Sequence, residues 1–105
     1  MAYGLTLLTA LSDPTRRLIF ERLSAGPQPV GRLAHGLPIS RPAVSQHLAA
    51  LKAAGLVMDH AQGAKRIYRI DPHGLASIRA WLDQFWTASL DAFQAEISKS
   101  EEKDR

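Results

Sequence analysis

The apolar positions of this chain fall into five helical runs and one alternating stretch. Leu5, Leu7, Leu8 and Leu11 form a short apolar helical segment. Asp13-Pro14 starts a second helix, since Asp caps free amide hydrogens and Pro fits the first helical position. Leu18, Ile19 and Leu23 recur along it, and Gly26-Pro27 ends it, giving a span of roughly 13–24. Val30, Leu33, Ala34 and Leu37 stand at i, i+3, i+4 and i+7 and predict a helix over 30–37, closed by Gly36 and Pro38. Ser40 caps the next helix, with Pro42 tolerated in its first turn, Val44, Leu48 and Leu51 on one face, and Gly55 at its end. Two helices joined by a tight turn predict a helix-turn-helix over about 29–55.

After Gly55 the period shortens. Leu56-Val57-Met58 begins an extended run, Gln62-Gly63-Ala64 reads as a turn, and Ile67-Tyr68-Arg69-Ile70 reads as a second strand. Tyr68 and Ile70 share one face and Arg69 takes the other. This predicts a two-stranded hairpin, the wing, over about 56–71. An isolated loop fits the β-branched and aromatic content poorly. Asp71-Pro72 then opens a helix of about 73–100, where Leu75, Ile78, Leu82, Phe85 or Trp86, Ser89, Phe93 and Ile97 recur every three or four residues. A closing helix of a small domain has little core left to cover, so this stripe calls for a second copy of the chain. The alternative is that it folds back onto the second helix. Lys99 to Arg105 reads as a frayed, charged tail. The expected fold is mainly α, about five helices with a two-stranded β-hairpin wing, in a single domain over residues 1–105. It is expected to pair through its terminal helices, with Leu7, Leu8, Leu11, Leu75, Ile78, Leu82, Phe85, Trp86 and Phe93 at the contact.

The charge of +3 over 105 residues is a mild lean towards polyanions, and its distribution sharpens it. Arg16, Arg17, Arg22 and Arg32 stand against Asp13 and Glu21, and Arg41, Lys52, Lys65, Arg66 and Arg69 against Asp59 and Asp71. The last third reverses, with Arg79, Lys99, Lys103 and Arg105 against Asp83, Asp91, Glu96, Glu101, Glu102 and Asp104. A basic excess confined to the first two thirds suits one face meeting phosphates. The chain has no cysteine, which excludes disulfides and thiolate metal sites. No basic stretch leads into a cleavable apolar segment, and no apolar run approaches the roughly 20 residues of a membrane helix. The expected setting is cytoplasmic, with no membrane partner.

Asp13-Pro14-Thr15-Arg16-Arg17, Leu33-Ala34, Ser40-Arg41-Pro42-Ala43-Val44-Ser45-Gln46-His47-Leu48, Leu51-Lys52-Ala53-Ala54-Gly55-Leu56-Val57 and the run from Gly63 to Ile70 closely resemble the ArsR (ArsR/SmtB) family of bacterial winged-helix repressors. The resemblance covers roughly residues 5–90, in the family's order and spacing. It implies a homodimer built on the first and last helices, two recognition helices in successive major grooves, and release from operator DNA by an effector. The effector's identity is not in the sequence, and repression follows from the resemblance alone.

In the helix after Ser40, the positions facing away from Val44, Leu48 and Leu51 include Arg41, Pro42, Ser45, Gln46 and Lys52. Gln pairs with an adenine edge, Ser donates or accepts, and Arg and Lys reach guanine or phosphate. Ser40 offers a phosphate its hydroxyl and the helix amides. His47, beside the apolar stripe, is expected to be packed or to touch the DNA backbone. Lys65, Arg66 and Arg69 in the wing suit phosphates or the adjacent minor groove. The bland reading of all these side chains is a solvated polar face and a charged hairpin edge.

Many members of the family sense metals. One of their sites uses a Cys-x-Cys pair before the recognition helix, and those positions are Pro29 and Gly31 here. Another uses Asp-x-His and His-x-x-Glu on the last helix, and those positions are Pro72, Gly74, Phe85 and Ala88. None of these side chains ligates. His35, His47, His60 and His73 lie in separate elements without ligand spacing, and His73 with Asp71 reads as a helix start. Neither a phosphate loop nor a nucleophile with a placed base is present, and Asp83, Asp91 and Glu96 read as a solvated helix face. The expectation is a non-enzymatic, metal-independent, dimeric repressor of double-stranded operator DNA, with no cofactor. The alternatives are a metal sensed at a novel site and a protein-interaction module using the terminal helices.

Overall fold

The computed structural model describes the backbone of residues 2–103 and the side chains of 6–102. In chain order it runs α1 (Ala2–Ala10), α2 (Pro14–Arg22), a 3-10 turn (Leu23–Ala25), β1 (Gln28–Pro29), α3 (Val30–Ala34), α4 (Arg41–Ala53), β2 (Val57–Gln62), β3 (Lys65–Ile70) and α5 (Pro72–Lys103). The side chain of Leu5 and residues Asp104 and Arg105 lie outside the described part.

Polar caps start the helices where the sequence places them. Asp13 Oδ1 accepts the Arg16 backbone N–H at 2.9 Å, with Pro14 as the first residue of α2. That amide holds the Asp13 carboxyl below its usual value, assisted to a lesser degree by His47. Ser40 Oγ accepts the Ala43 N–H at 3.2 Å and opens α4. Asp71 Oδ1 accepts the His73 N–H at 2.9 Å at the start of α5, so the Asp71–His73 pair is the helix-start arrangement the sequence suggests.

The core gathers Leu7, Ile19, Leu33, Val44, Leu48, Leu51 and Leu56, all fully buried, with Leu23 and Val57 beside them. Each such aliphatic side chain contributes about 1.5–3 kcal/mol relative to exposure. Tyr68 and Ile70 pack against this core from β3 and Arg69 points outward, as the alternation predicts. Gly63, at φ +62°, and Ala64 form a two-residue turn between Gln62 and its partner Lys65. Glycine in the first turn position suits the tight hairpins whose twist matches the strands.

The structure differs from the sequence expectation in three places. The wing is the larger part of a three-stranded antiparallel sheet of order β1-β3-β2, because Gln28 and Pro29 pair with Tyr68 and Ile67. Proline is tolerated there because β1 is an edge strand. Helix α3 stops at Ala34, since His35 leaves the helical region. Arg22 from α2 donates to the carbonyls of Leu33 (2.9 Å) and His35 (2.6 Å), satisfying groups that a longer helix would have used. Helix α5 continues through Lys99 to Lys103 rather than fraying. Its stripe does not fold back onto α2: α5 packs beside α1, Ile78 joins the core, and the apolar residues from Leu82 onward stay exposed.

Candidate nucleic-acid interface

Helix α4 is held by its buried face, which leaves Arg41, Pro42, Ser45, Gln46, Ala49 and Lys52 exposed on the other. Pro42, Ser45 and Gln46 form the unobstructed part of that face. Their side chains have no hydrogen-bond or ion-pair partner among the described residues, and a short helix presented this way fits a major groove. Ser40 is committed to its cap, though its O–H remains available to donate. His47 is half-buried, and its Nδ1 accepts from Arg16 Nε at 3.3 Å, so it ties α4 to α2.

Apart from Arg69, the cations near this face form two groups that share Arg66. Asp59 on β2 accepts from Lys52 Nζ and from Arg66 Nε, each at 2.7 Å. The Asp59 side chain is only 5% exposed, against 56% and 53% for those of Lys52 and Arg66. The Lys52 hydrogen bond, with the Arg66 charge behind it, holds Asp59 below its usual value despite the opposing cost of burial. This clamp joins the far end of the recognition helix to both wing strands. Asp59 escaped the sequence reading, yet the hairpin register contains the signal. Once Gln62 faces Lys65, Ala61 faces Arg66, and Asp59 lies two residues along on the same face, diagonal to Arg66.

The second group lines an open groove of about 560 Å³ between the start of α3, the start of α4 and the wing tip. Arg32, Arg41, Lys65 and Arg66 line it and no acidic side chain does. Arg41 is folded across Gly31: a Cβ on Gly31 would overlap the Arg41 guanidinium. Arg32 is therefore a candidate that pattern reading missed, because a lone Arg on a five-residue helix carries no periodic signal. Arg69 stays apart. It borders a shallow apolar depression with Leu23, Pro27 and Leu75 at the root of the wing, roughly 13 Å along the strand from Lys65.

The expected pairing surface is also redistributed. Leu7, expected at the dimer contact, is fully buried within the single chain and braces α1 from inside. Leu8 and Leu11 remain partly exposed, and Ile78 is half-buried against the core. Leu75, Leu82, Phe85, Trp86, Leu90, Phe93 and Ile97 are exposed along α5, with Trp86 at 66% and Phe93 at 59%. Trp81 and Phe85 stack edge to face with centroids 4.8 Å apart.

The positions that the resemblance assigns to metal ligands do not fit a metal here. Pro29 is paired in β1, Gly31 lies beneath Arg41, and Gly74 is pressed against the Gly55 carbonyl. Among the described residues no three His, Cys, Asp or Glu side chains gather in a metal-binding group. No helix among them is long and apolar enough to cross a membrane.

A family model described as "Helix-turn-helix domain" matches residues 11–60. The HTH-type transcriptional regulator Rv2034 of Mycobacterium tuberculosis is 55% identical over 90% of this chain and 88% of that protein. The transcriptional repressor SdpR of Bacillus subtilis is 37% identical over 72% of this chain and 84% of that protein. An ArsR-like transcriptional regulator from Rhodococcus sp. RHA1 has the same fold, with a TM-score of 0.76 and 35% identity over 93% of this chain and 92% of that one. The chain belongs to the ArsR family. As an ArsR-family member it is a winged helix-turn-helix, DNA-binding transcriptional regulator. The homodimeric DNA-binding domain Mb0332 of Mycobacterium bovis shares the ArsR fold at a TM-score of 0.66 and 26% identity, covering 86% of this chain and 83% of that one.

Proposed function

We propose that this ArsR-family regulator is a cytoplasmic homodimeric repressor that occludes a two-fold operator without using a metal and without catalysis. The observation that carries the reading is the free outer face of α4, where Pro42, Ser45 and Gln46 project beside the basic groove. Gln46 and Ser45 read base edges. Arg41, Lys52, Lys65 and Arg66 neutralise phosphates, and Ser40 and His47 fix the helix that carries the readers. Two copies paired through the exposed face of α5, with Leu8 and Leu11 at its edge, set two recognition helices about 34 Å apart. The homodimeric state of Mb0332 and the repressor role of SdpR support this assembly and sign of regulation.

The test is fluorescence anisotropy on DNA from upstream of the gene and on scrambled DNA, at several salt concentrations, with chelator or added zinc. Selective binding by two chains per site, indifferent to chelator and zinc, is the expected result. Binding no tighter than to scrambled DNA refutes the operator reading. It would turn attention to the aromatic face of α5 as a surface for another protein.

A further inference from the structure

His47 ties the recognition helix to α2 by a side-chain hydrogen bond whose geometry admits one protonation state. Its Nδ1 accepts from Arg16 Nε at 3.3 Å, so that nitrogen carries no proton and the ring's proton sits on Nε2. Asp13 caps the same helix three residues before Arg16, near enough for the charge of His47 to act on its carboxyl. The other elements that pack on α4 are α3 and β2, and their charges are engaged elsewhere. Arg32 of α3 lines the basic groove, Asp59 of β2 is held by Lys52 and Arg66, and His60 is exposed. Along α2, Arg17 donates to the Leu11 carbonyl, Arg22 donates to those of Leu33 and His35, and Glu21 is exposed. Asp13 and Arg16 are therefore the charges that face the imidazole among the described residues.

We infer that Asp13, Arg16 and His47 form a proton-sensitive anchor for the recognition helix. With a neutral imidazole, Arg16 holds α4 where it reads DNA; a proton on His47 hands the ring to Asp13 and releases that hold. The inference rests on the DNA-reading role of α4 given above. A proton on Nδ1 occupies the lone pair that Arg16 uses and sets an imidazolium against a guanidinium. The Asp13 carboxylate is then the better partner. Imidazole is the side chain whose ordinary titration falls between about pH 5 and 8. Asp13 stays ionised over that range, because the Arg16 N–H holds its carboxyl below 3.8. Gln46 adjoins His47 on α4 and Ser45 lies just before it, so a shift of α4 against α2 reaches both base readers. Acidification thus adds a positive charge that favours any DNA, while it lowers the preference for the operator. Asp13 and Arg16 are positioning residues, acting through His47 without touching a base.

Two measurements on the full chain test the anchor, with circular dichroism melts to establish that each variant folds. The first is an NMR pH titration of the His47 ring without DNA, its signal assigned by its loss in His47→Asn. It is made on the parent, on Asp13→Asn, which keeps a good helix cap, and on Arg16→Met, which keeps the stem without the charge. The His47 midpoint should fall in Asp13→Asn and rise in Arg16→Met. A midpoint unmoved in both overturns the anchor. The second is anisotropy on upstream and scrambled DNA at about pH 8 and about pH 5.5. The parent's preference for upstream DNA should drop about five- to tenfold on acidification. His47→Asn puts Oδ1 where Nδ1 stood, an acceptor that takes no proton in this range, and its preference should stay level. The other three histidines, all exposed, remain in that variant as an internal control. A parent preference that ignores pH, or a His47→Asn preference that drops with the parent's, overturns the proposal. A parent with no preference at either pH refutes the operator reading instead, and the NMR titration then decides the anchor alone.

Discussion

Replacing Asp59 by Asn separates the two things its carboxylate does. Asn has nearly the same shape and keeps one acceptor oxygen, so no cavity forms; the change removes charge from the Lys52 and Arg66 pairs, both 2.7 Å long. The two cations are more than half exposed and rehydrate when released. A pair of this kind contributes about 0.2–1 kcal/mol, and a nearly buried carboxylate puts both at the upper end. The expected loss is about 1–2 kcal/mol, a fall of roughly 5–10 °C in melting midpoint for a domain of this size. DNA binding moves the other way. With one negative charge fewer beside Lys52 and Arg66, affinity for scrambled DNA rises at low salt and the salt slope steepens by about 0.9. Thermal melts by circular dichroism and anisotropy at about 50–200 mM salt measure the two effects. The pH dependence follows from the same pairing. The folded carboxyl is lowered from 3.8, so its stabilisation is present above that value and is lost as pH falls through the lower folded value. The gap between parent and variant therefore closes below pH 3.8. A variant that melts with the parent, or whose salt slope is unchanged or shallower, would refute the clamp.

Gln46→Ala should relax preference at one base pair at a cost of about 1–3 kcal/mol, read by competition among operators substituted at each position. Gly74→Ala should destabilise by about 1–3 kcal/mol, since the new Cβ meets the Gly55 backbone carbonyl, which cannot rotate away as a side chain would; thermal melts check this. Trp86→Glu with Phe93→Glu should give a folded monomer by sedimentation and weaken operator binding, because both rings are exposed in the single chain and the proposed dimer is what would cover them.

Much of this fold is legible in the sequence because its signals are local. Asp13, Ser40 and Asp71 make the caps their positions suggest, and the apolar spacing of Val44, Leu48 and Leu51 fixes the buried face of α4. The misses are places where distant segments decide. Two residues cannot show a strand period, so β1 became visible only when β3 supplied its partner. The stop of α3 depends on Arg22 reaching across from α2, and the burial of Leu7 depends on where α1 lands. Within the interface, the polar face of α4 could be read from helical period. The groove could not, because Arg32, Arg41 and Lys65 are brought to one place only by the tertiary fold.

The close seat of Gly74 on Gly55 has a mechanical meaning. Gly55 ends the turn after α4, and the Asp71 N–H donates to the Leu56 carbonyl at 2.9 Å, so the base of α5 and the end of the recognition helix move as one piece. From that point α5 extends for 32 residues, roughly 48 Å. It is a lever with its fulcrum at the C-terminal end of α4. A tilt of about 5° carries the far end roughly 4 Å, whereas Gln46, roughly 14 Å along α4 from Gly55, moves about 1 Å. Slack among the last turns is thus geared down before it reaches the operator, whereas a small displacement at Gly74 is magnified along the whole arm.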